Sequence, residues 1–85
     1  MIEIDFAIKT KEIIPNYVVS QNKSKRLFDE NGKLHSYNDL PASIWRDGTK
    51  FWYKHGKLHR DNGLPSVIRP DGGSTEYHEN GKRIK

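Results

Sequence analysis

The feature that most constrains this 85-residue chain is an internal repeat. Residues 32–48 align with residues 56–72 at an offset of 24, and ten of the seventeen aligned positions are identical. A third, shorter copy follows, in which Tyr77 matches Tyr53 and Gly81 matches Gly56 after one inserted residue. A fixed period of about 20–50 residues is typical of stacked units that are too small to bury their own apolar face. The chain is therefore expected to fold as an array of one small unit.

Each unit is predicted to be a β-hairpin with its linking loop. Segments rich in Ile, Val and aromatic residues lie between turn dipeptides, and no helical periodicity is visible. Asn-Gly and Asp-Gly favour type I′ turns, whereas His-Gly fits them less well. The five dipeptides are Asn31-Gly32, Asp47-Gly48, His55-Gly56, Asp71-Gly72 and Asn80-Gly81. The prediction is an all-β fold, an antiparallel meander of stacked β-hairpin repeats of period 24.

Residues 1–25 do not match the repeat and are predicted to be N-terminal capping strands. Apolar residues alternate with other residues in the first segment, which indicates a half-buried strand; they are Ile2, Ile4, Phe6 and Ile8. A second strand is predicted around Val18 and Val19, because both are strong β-formers. Residues 26–85 hold two and a half hairpin repeats, and both parts are expected to form one domain. Leu40-Pro41 and Leu64-Pro65 are predicted to lead into strands in extended geometry.

Composition narrows the function classes. The chain has no cysteine and a net charge of +4, with basic and acidic residues interleaved. A disulfide scaffold and a Cys nucleophile are excluded. No apolar run reaches the roughly 18 residues that a membrane span needs, and the first residues do not resemble a signal peptide. A cytoplasmic protein without membrane contact is expected. The mild positive charge permits contact with nucleic acid without requiring it.

Catalysis and metal binding are not expected. His59-Arg60-Asp61 has the order of a kinase catalytic loop, but the chain lacks the glycine-rich loop and the length that a kinase needs. The repeated histidines, His35 and His59, are interpreted as structural residues whose rings bond loop backbone in each copy. Neither a metal, a cofactor nor a catalytic residue is predicted, and the chain is expected to be no enzyme.

The aromatic residues around Asp47-Gly48 give the candidate binding site. A two-residue turn would place Ile44, Arg46, Thr49, Phe51 and Tyr53 on one face, and Trp45, Lys50, Trp52 and Lys54 on the other. In the next copy, Trp45 becomes Arg69 and Trp52 becomes Glu76. Since a buried position rarely allows such changes, the tryptophans are interpreted as exposed beside lysines. The alternative is that both rings fill the thin core against the N-terminal strands, with Phe28 in the equivalent place.

The candidate binding residues are accordingly six, namely Trp45, Arg46, Lys50, Trp52, Lys54 and Arg60. Exposed tryptophans flanked by cations are typical of interfaces. Arg46 or Arg60 is expected at the rim, and Lys50 and Lys54 beside the rings.

The repeat also resembles a known family. The run from Trp52 through Ser66, followed by Asp71-Gly72, is similar to the MORN-like β-hairpin repeat, in the variant with the pattern His-Arg-x-x-Gly-x-Pro-Ala. The first copy departs from this variant at Ser36 and Asp39. The variant turns up in proteins of phages, giant viruses and bacteria, and MORN-type repeats imply a binding or scaffolding surface without catalysis.

These observations predict a binding protein, in particular a phage-encoded inhibitor or adaptor that binds a host protein, such as an anti-defence or anti-CRISPR protein. It would act in the cytoplasm of the host cell. A nucleic-acid-binding module with exposed aromatics and Lys or Arg is the alternative. A structural or assembly component of a virion is the third possibility. Unpaired sheet edges in so short an array also make a dimer plausible.

Overall fold

The computed structural model describes residues 14–70 and 72–85, and these residues form an antiparallel all-β structure. The predicted strand over residues 2–8 and Asp71 of the fourth turn lie outside the described residues. No helix occurs in the described ranges, and so none that could cross a membrane. The strands are β1 (Val18–Val19), β2 (Lys25–Arg26), β3 (Ser43–Ile44), β4 (Lys50–Phe51), β5 (Tyr53–Lys54), β6 (Lys57–Leu58), β7 (Val67–Ile68), β8 (Thr75–Glu76), β9 (His78–Glu79) and β10 (Lys82–Arg83). The predicted all-β class is confirmed.

Six of these strands form one sheet, and four form two separate hairpins. The sheet has the order β1-β2-β3-β4-β7-β8. The hairpins are β5-β6 and β9-β10. Both Leu-Pro dipeptides lie outside helices and strands, and β3 and β7 begin two residues after Pro41 and Pro65. Each Leu-Pro pair therefore leads into a sheet strand, as predicted.

Strand β1 lies at one edge of the sheet, where the predicted second N-terminal strand is found. It pairs with β2, and β2 pairs with β3. Val18 and Val19 are exposed. The Tyr17 hydroxyl donates a hydrogen bond to the Pro41 carbonyl oxygen at 2.8 Å, which ties this segment to the first Leu-Pro loop.

The turn at Asp47-Gly48 contains three residues, not two. The Trp45 amide donates to the Thr49 carbonyl at 2.8 Å, and the Gly48 amide donates back to the Trp45 carbonyl at 2.9 Å. Gly48 has a φ of 98°, as expected of the left-handed residue that closes a three-residue loop. The Asp47 carboxylate accepts the Thr49 amide at 2.9 Å. Since a loop longer by one residue shifts the pairing by one, the predicted register is wrong.

The observed register changes which side chains share a face. Ser43 pairs with Phe51, and Ile44 pairs with Lys50. Lys50 in turn pairs with Ile68. Ile44 and Ile68 therefore flank an exposed lysine and are only half-buried. The face that carries Ile44 and Ile68 is therefore only partly buried.

Type I′ geometry occurs instead at the His-Gly turn and at the last Asn-Gly turn. His55 and Gly56 have φ values of 47° and 87°, and Asn80 and Gly81 have values of 50° and 88°. Positive φ at both central residues defines this turn. His55 takes the strained position even though the dipeptide suits it less well, because its backbone and ring are held by the preceding hairpin.

A short hairpin closed by the Phe28–Leu34 bridge precedes these two, and we call it the first hairpin, β5-β6 the second and β9-β10 the third. Successive hairpins contact one another through matched hydrogen bonds. The Gly56 amide donates to the Leu34 carbonyl at 2.7 Å, and the Gly81 amide donates to the Leu58 carbonyl at 2.8 Å. The Nδ1 atom of His35 accepts the His55 amide at 3.0 Å. In the next pair, Nδ1 of His59 accepts the Asn80 amide at 3.1 Å. The interpretation of the two histidines as structural residues that bond loop backbone is confirmed.

Equivalent positions follow from these and related bonds. The carbonyls of Leu27, Trp52 and Tyr77 accept the amides of His35, His59 and Ile84, in that order. We therefore call residues 27–51 unit one, residues 52–76 unit two, and residues 77–85 the partial unit.

The core is small. Two of its residues are the first residues of units one and two, and the other two lie at the beginning of strands β3 and β7. Its buried hydrophobic residues are Leu27, Ala42, Trp52 and Val67. Ser43 and Ser66 are buried beside them. Small residues at these positions allow the short strands to approach closely, and the indole supplies most of the apolar volume.

Candidate interaction surface

An aromatic row follows unit one on the face that carries Phe51. The ring of Trp45 lies 4.8 Å from that of Phe51, and the ring of Phe51 lies 6.4 Å from that of Tyr53. Trp45 is 48% exposed, whereas Phe51 and Tyr53 are half-buried. Because Trp45 pairs with Thr49 across the loop, its ring lies diagonal to Phe51, and the rigid turn holds it at the surface. The hydrogen bonds from Thr49 lower the pKa of the Asp47 carboxyl.

The structure places Trp52 in the core. Its side chain is 4% exposed, and its Nε1 donates to the Asp39 carbonyl oxygen at 2.9 Å. The interpretation of Trp52 as an exposed anchor is wrong, and the alternative that its ring fills the core is confirmed for this residue. The residue in the equivalent place is Leu27, not Phe28, because both carbonyls accept an amide from a repeated histidine.

The inserted residue explains the misassignment of Trp52. Gly73 lengthens the turn region of unit two, and its amide donates to the Pro70 carbonyl at 3.1 Å. Every later position is therefore displaced by one, so Trp52 is equivalent to Tyr77 and not to Glu76. The equivalent residues are therefore Leu27, Trp52 and Tyr77, a large side chain in each case, which is buried in the two full units and half-buried in the partial unit.

Arg60 packs on the ring of Trp52 and is not a rim residue. We call these two side chains the Trp52–Arg60 cluster. Its guanidinium carbon lies 3.8 Å from the centre of the Trp52 ring. The guanidinium binds the Asp39 carboxylate through Nε and Nη2 at 3.0 and 3.1 Å. It also donates to the Pro65 carbonyl oxygen at 3.1 Å. A planar guanidinium on an aromatic face with a bidentate carboxylate is a geometry that only arginine provides. Arg60 thus joins the loops of the two units.

The remaining predicted residues are exposed but are not gathered around one ring. Arg46 follows Trp45 in the loop and is exposed. Lys50 pairs with Ile44 and Ile68 and so lies on the sheet face opposite Phe51. Lys54 is exposed at the end of β5. Of the six predicted residues, Trp52 and Arg60 therefore contact each other, and Trp45 and Arg46 are exposed and adjacent in the sequence.

Unit two carries an ion pair where unit one carries the aromatic pair. Arg69 follows β7 as Trp45 follows β3, and its Nη2 donates to the Glu76 carboxylate at 2.8 Å. Its Nη1 donates to the Ser74 carbonyl at 3.0 Å. The hydrogen bond from Arg69 is the main reason that the pKa of Glu76 is lowered. The aromatic surface is therefore specific to unit one.

A carboxylate and two imidazoles lie together between the first two hairpins. Potential ligand atoms of Asp29, His35 and His55 lie within 4.8 Å of one another. The Asp29 carboxylate accepts the amides of Asn31 and Lys33 at 2.8 and 2.9 Å, and its second oxygen lies 2.7 Å from His55 Nδ1. These bonds, with that of His55 first, lower the pKa of Asp29 to about 2. A cation would have to displace this network, which already links the hairpins.

Sequence reasoning missed a buried Ser-His-Glu arrangement. The hydroxyl of Ser66 lies 2.7 Å from His78 Nδ1, and Nε2 of the same ring lies 3.8 Å from the Glu76 carboxylate. The residue types are those of a hydrolase triad, but the two ring nitrogens have exchanged partners and 3.8 Å is too long for a hydrogen bond. Ser66 is also 0% exposed, so a substrate has no access to its hydroxyl in this conformation. The ring instead joins β7 to β9. Spacing along the chain gave no signal for this contact.

Two depressions flank the hairpins. One of about 350 Å³ lies over the Trp52–Arg60 cluster, between the loops that contain Asn38 and Asn62. Two pairs of its polar groups are already bonded, since Asp39 binds Arg60 and Asp61 lies 2.7 Å from His59, whereas Lys54 also lines it and is in no ion pair with a described residue. The other, of about 580 Å³, lies beside the turns of the first two hairpins.

No protein-family model, curated protein or solved structure matches the chain.

Proposed function

We propose that the chain is a non-enzymatic module that binds a partner protein through the aromatic surface formed by Trp45 and Phe51 of unit one and by Tyr53, the second residue of unit two. The observation that carries this proposal is the exposed Trp45 ring, which stacks on Phe51 where unit two has a solvated ion pair. An aromatic pair that the fold does not need, on a chain of mean hydropathy −0.93, is most simply explained by contact with a partner.

The chemistry of the surface fits a protein interface. Tryptophan and tyrosine supply large, rigid contact areas and dominate interface energies. The Trp45 ring already contacts the Phe51 ring in the free chain, so part of its side-chain freedom is lost before binding. Arg46 lies next to it and is exposed, in the position of a polar rim. Acidic groups on the partner would therefore be favoured around an apolar anchor site.

The resemblance to MORN-like repeats of phages, giant viruses and bacteria supports a more specific proposal. The partner would be a host protein in the cytoplasm, and the chain would act as an inhibitor or adaptor, for example against a defence complex. A short array with one aromatic surface and a separately stabilised core suits such a role, because surface residues can vary without loss of the fold.

Affinity purification from the host, followed by mass spectrometry, tests the proposal. Wild type is compared with Trp45→Ala and with Arg69→Ala, which alters the equivalent position of unit two. We expect Trp45→Ala to lose the captured protein and Arg69→Ala to retain it. Equal capture by both variants, in folded form, would contradict the proposal.

The same purified protein can be tested for the alternative function, binding of nucleic acid. Trp45 beside Arg46 and the net charge of +4 are the observations that favour it. If oligo-dT binds with a steep salt dependence, and Trp45→Ala weakens this binding, the partner is single-stranded nucleic acid and not a protein. We expect no such binding, because Lys50 lies on the opposite face from the aromatic row.

A further inference from the structure

A second surface lies beside the Asn31-Gly32 and His55-Gly56 turns. Its floor is formed by Phe28 and Leu34, which pair across the first hairpin as an isolated β-bridge and are half-buried. The groove is open to solvent and has a volume of about 580 Å³, which is enough space for an anchoring side chain. The residues along it are Arg26, Phe28, Gly32, Lys33, Leu34, His55, Gly56 and Lys57.

The rim of this groove is cationic. Arg26, Lys33 and Lys57 line it, and no carboxylate is among the described lining residues. The nearest acid of the first turn, Asp29, has a side chain only 2% exposed and is bonded to His55. No ion pair between described residues involves a lysine. Among the described residues, therefore, none of these three cations is in an ion pair, and Glu30, which is exposed in the same turn, does not line the groove.

Stacking of the hairpins fixes the lysine stems. A Cβ atom on Gly56 would lie 3.4 Å from the Lys33 side chain, and one on Gly81 would lie 3.6 Å from Lys57. Each stem thus lies over the glycine of the following turn, and its ammonium extends beyond it into solvent. The repeated Gly-Lys pair sets successive cations along the same side of the array.

We propose that this groove binds an acidic segment of a partner protein, with one apolar side chain on Phe28 and Leu34 and carboxylates at Arg26, Lys33 and Lys57. Charge complementarity and the apolar floor together define this partner. Single-stranded nucleic acid fits less well, because it is bound on successive aromatic rings, and Phe28 is the one Phe, Tyr or Trp among the described lining residues. The inference rests on the proposed function in taking the partner to be a protein.

The test uses a fluorescein-labelled peptide with a central Leu and Phe flanked by Glu and Asp, titrated with the full chain and followed by anisotropy. We expect Lys33→Glu with Lys57→Glu to weaken binding by about tenfold or more. The matched control is Lys25→Glu with Lys50→Glu, which makes the same change of charge at two exposed lysines that flank Ile44 outside the groove. This control is expected to bind within about twofold of wild type. Circular dichroism confirms that both variants fold.

Other probes decide what the groove recognises. Equal losses in both variants, or equal binding of polyglutamate, would show that net charge alone attracts the peptide and would overturn the proposal. Tighter binding of oligo-dT, or no binding of the peptide at millimolar concentration, would also overturn it. In ¹⁵N spectra the peptide should shift the amides of Gly32 and Gly56 and leave Gly72 in place. Trp45→Ala should bind the peptide normally, so failure here is distinguishable from failure of the aromatic surface.

Discussion

Unit one and unit two place different side chains on equivalent strand pairs. Ser43 pairs with Phe51 in the first, and Val67 pairs with Glu76 in the second. The diagonal neighbour of Phe51 is Trp45, and that of Glu76 is Arg69. Unit one therefore has an aromatic pair at the position where unit two has an ion pair. Since both units form the same strand pairing, the pair at this position is not what holds the hairpin together. It is free to serve a surface role.

The largest effect should separate the two tryptophans. Trp52→Ala removes the largest side chain of the core, a hydrogen bond to Asp39 and the support of Arg60, and we expect a loss of about 3–5 kcal/mol in the free energy of unfolding. Trp45→Ala, at an exposed position, should cost less than about 1 kcal/mol. Urea denaturation measures both. Comparable losses would mean that the comparison between core and surface ring is wrong.

A transplant between the units tests the surface itself. Trp45→Arg with Phe51→Glu gives unit one the ion pair of unit two, and we expect partner binding to weaken by about 30-fold or more, as for the loss of an interface anchor worth about 2 kcal/mol. The fold should persist, because unit two already accepts this pair. Calorimetric titration with the captured partner and a thermal melt read the two properties separately. A melt that collapses together with binding would show that the aromatic pair is structural.

Acid should destabilise the Asn31-Gly32 turn of unit one, and the equivalent His55-Gly56 turn of unit two lacks the carboxylate responsible. Unit one has Asp29 where unit two has Lys54, and the folded-state pKa of Asp29 is about 2, against an ordinary value of 3.8. A lowered pKa stabilises the fold above pH 3.8 and loses that contribution as the pH falls towards 2. Relative to Asp29→Asn, the wild-type advantage in free energy of unfolding should therefore shrink over this range and stay constant from about pH 5 to pH 6. Urea midpoints at a series of pH values give the difference. A constant difference across the whole series would contradict the assignment.

The smallest effect concerns the ion pair of unit two. Arg69 and Glu76 are partly exposed, and solvent-exposed pairs contribute about 0.2–1 kcal/mol. A double-mutant cycle with Arg69→Ala and Glu76→Ala should give a coupling in this range that decreases with salt. A coupling much above it would mean that unit two depends on its pair as unit one does not depend on Trp45.

Much of the fold was predictable from residue types and spacing. The all-β class, the strand at Val18 and Val19, the extended Leu-Pro segments and the structural role of the two histidines follow from local preferences and from the repeat. These features depend on residues close in sequence or on positions that recur.

The details of the site depended on single-residue shifts that the sequence does not specify. Asp-Gly suits both a two-residue and a three-residue loop, and the choice between them moves Trp45 to the other face. The position of the inserted glycine decided whether Trp52 matched Glu76 or Tyr77. Contacts such as Arg60 with Asp39, or Asp29 with His55, join residues more than twenty positions apart, where spacing along the chain carries no information.

The partial unit has Ile84 at the position of the two histidines, and this substitution bears on how the array can be lengthened. Ile84 donates its amide to Tyr77 as His59 does to Trp52, but its side chain has no ring nitrogen to accept an amide from a further turn. A hairpin stacked on the partial unit would lack one of the two bonds that join the others. An engineered copy of unit two should therefore be accommodated between units, where a histidine precedes it and a matching turn follows. The array can be extended from within, and the aromatic surface and the cationic groove would remain on the units that carry them.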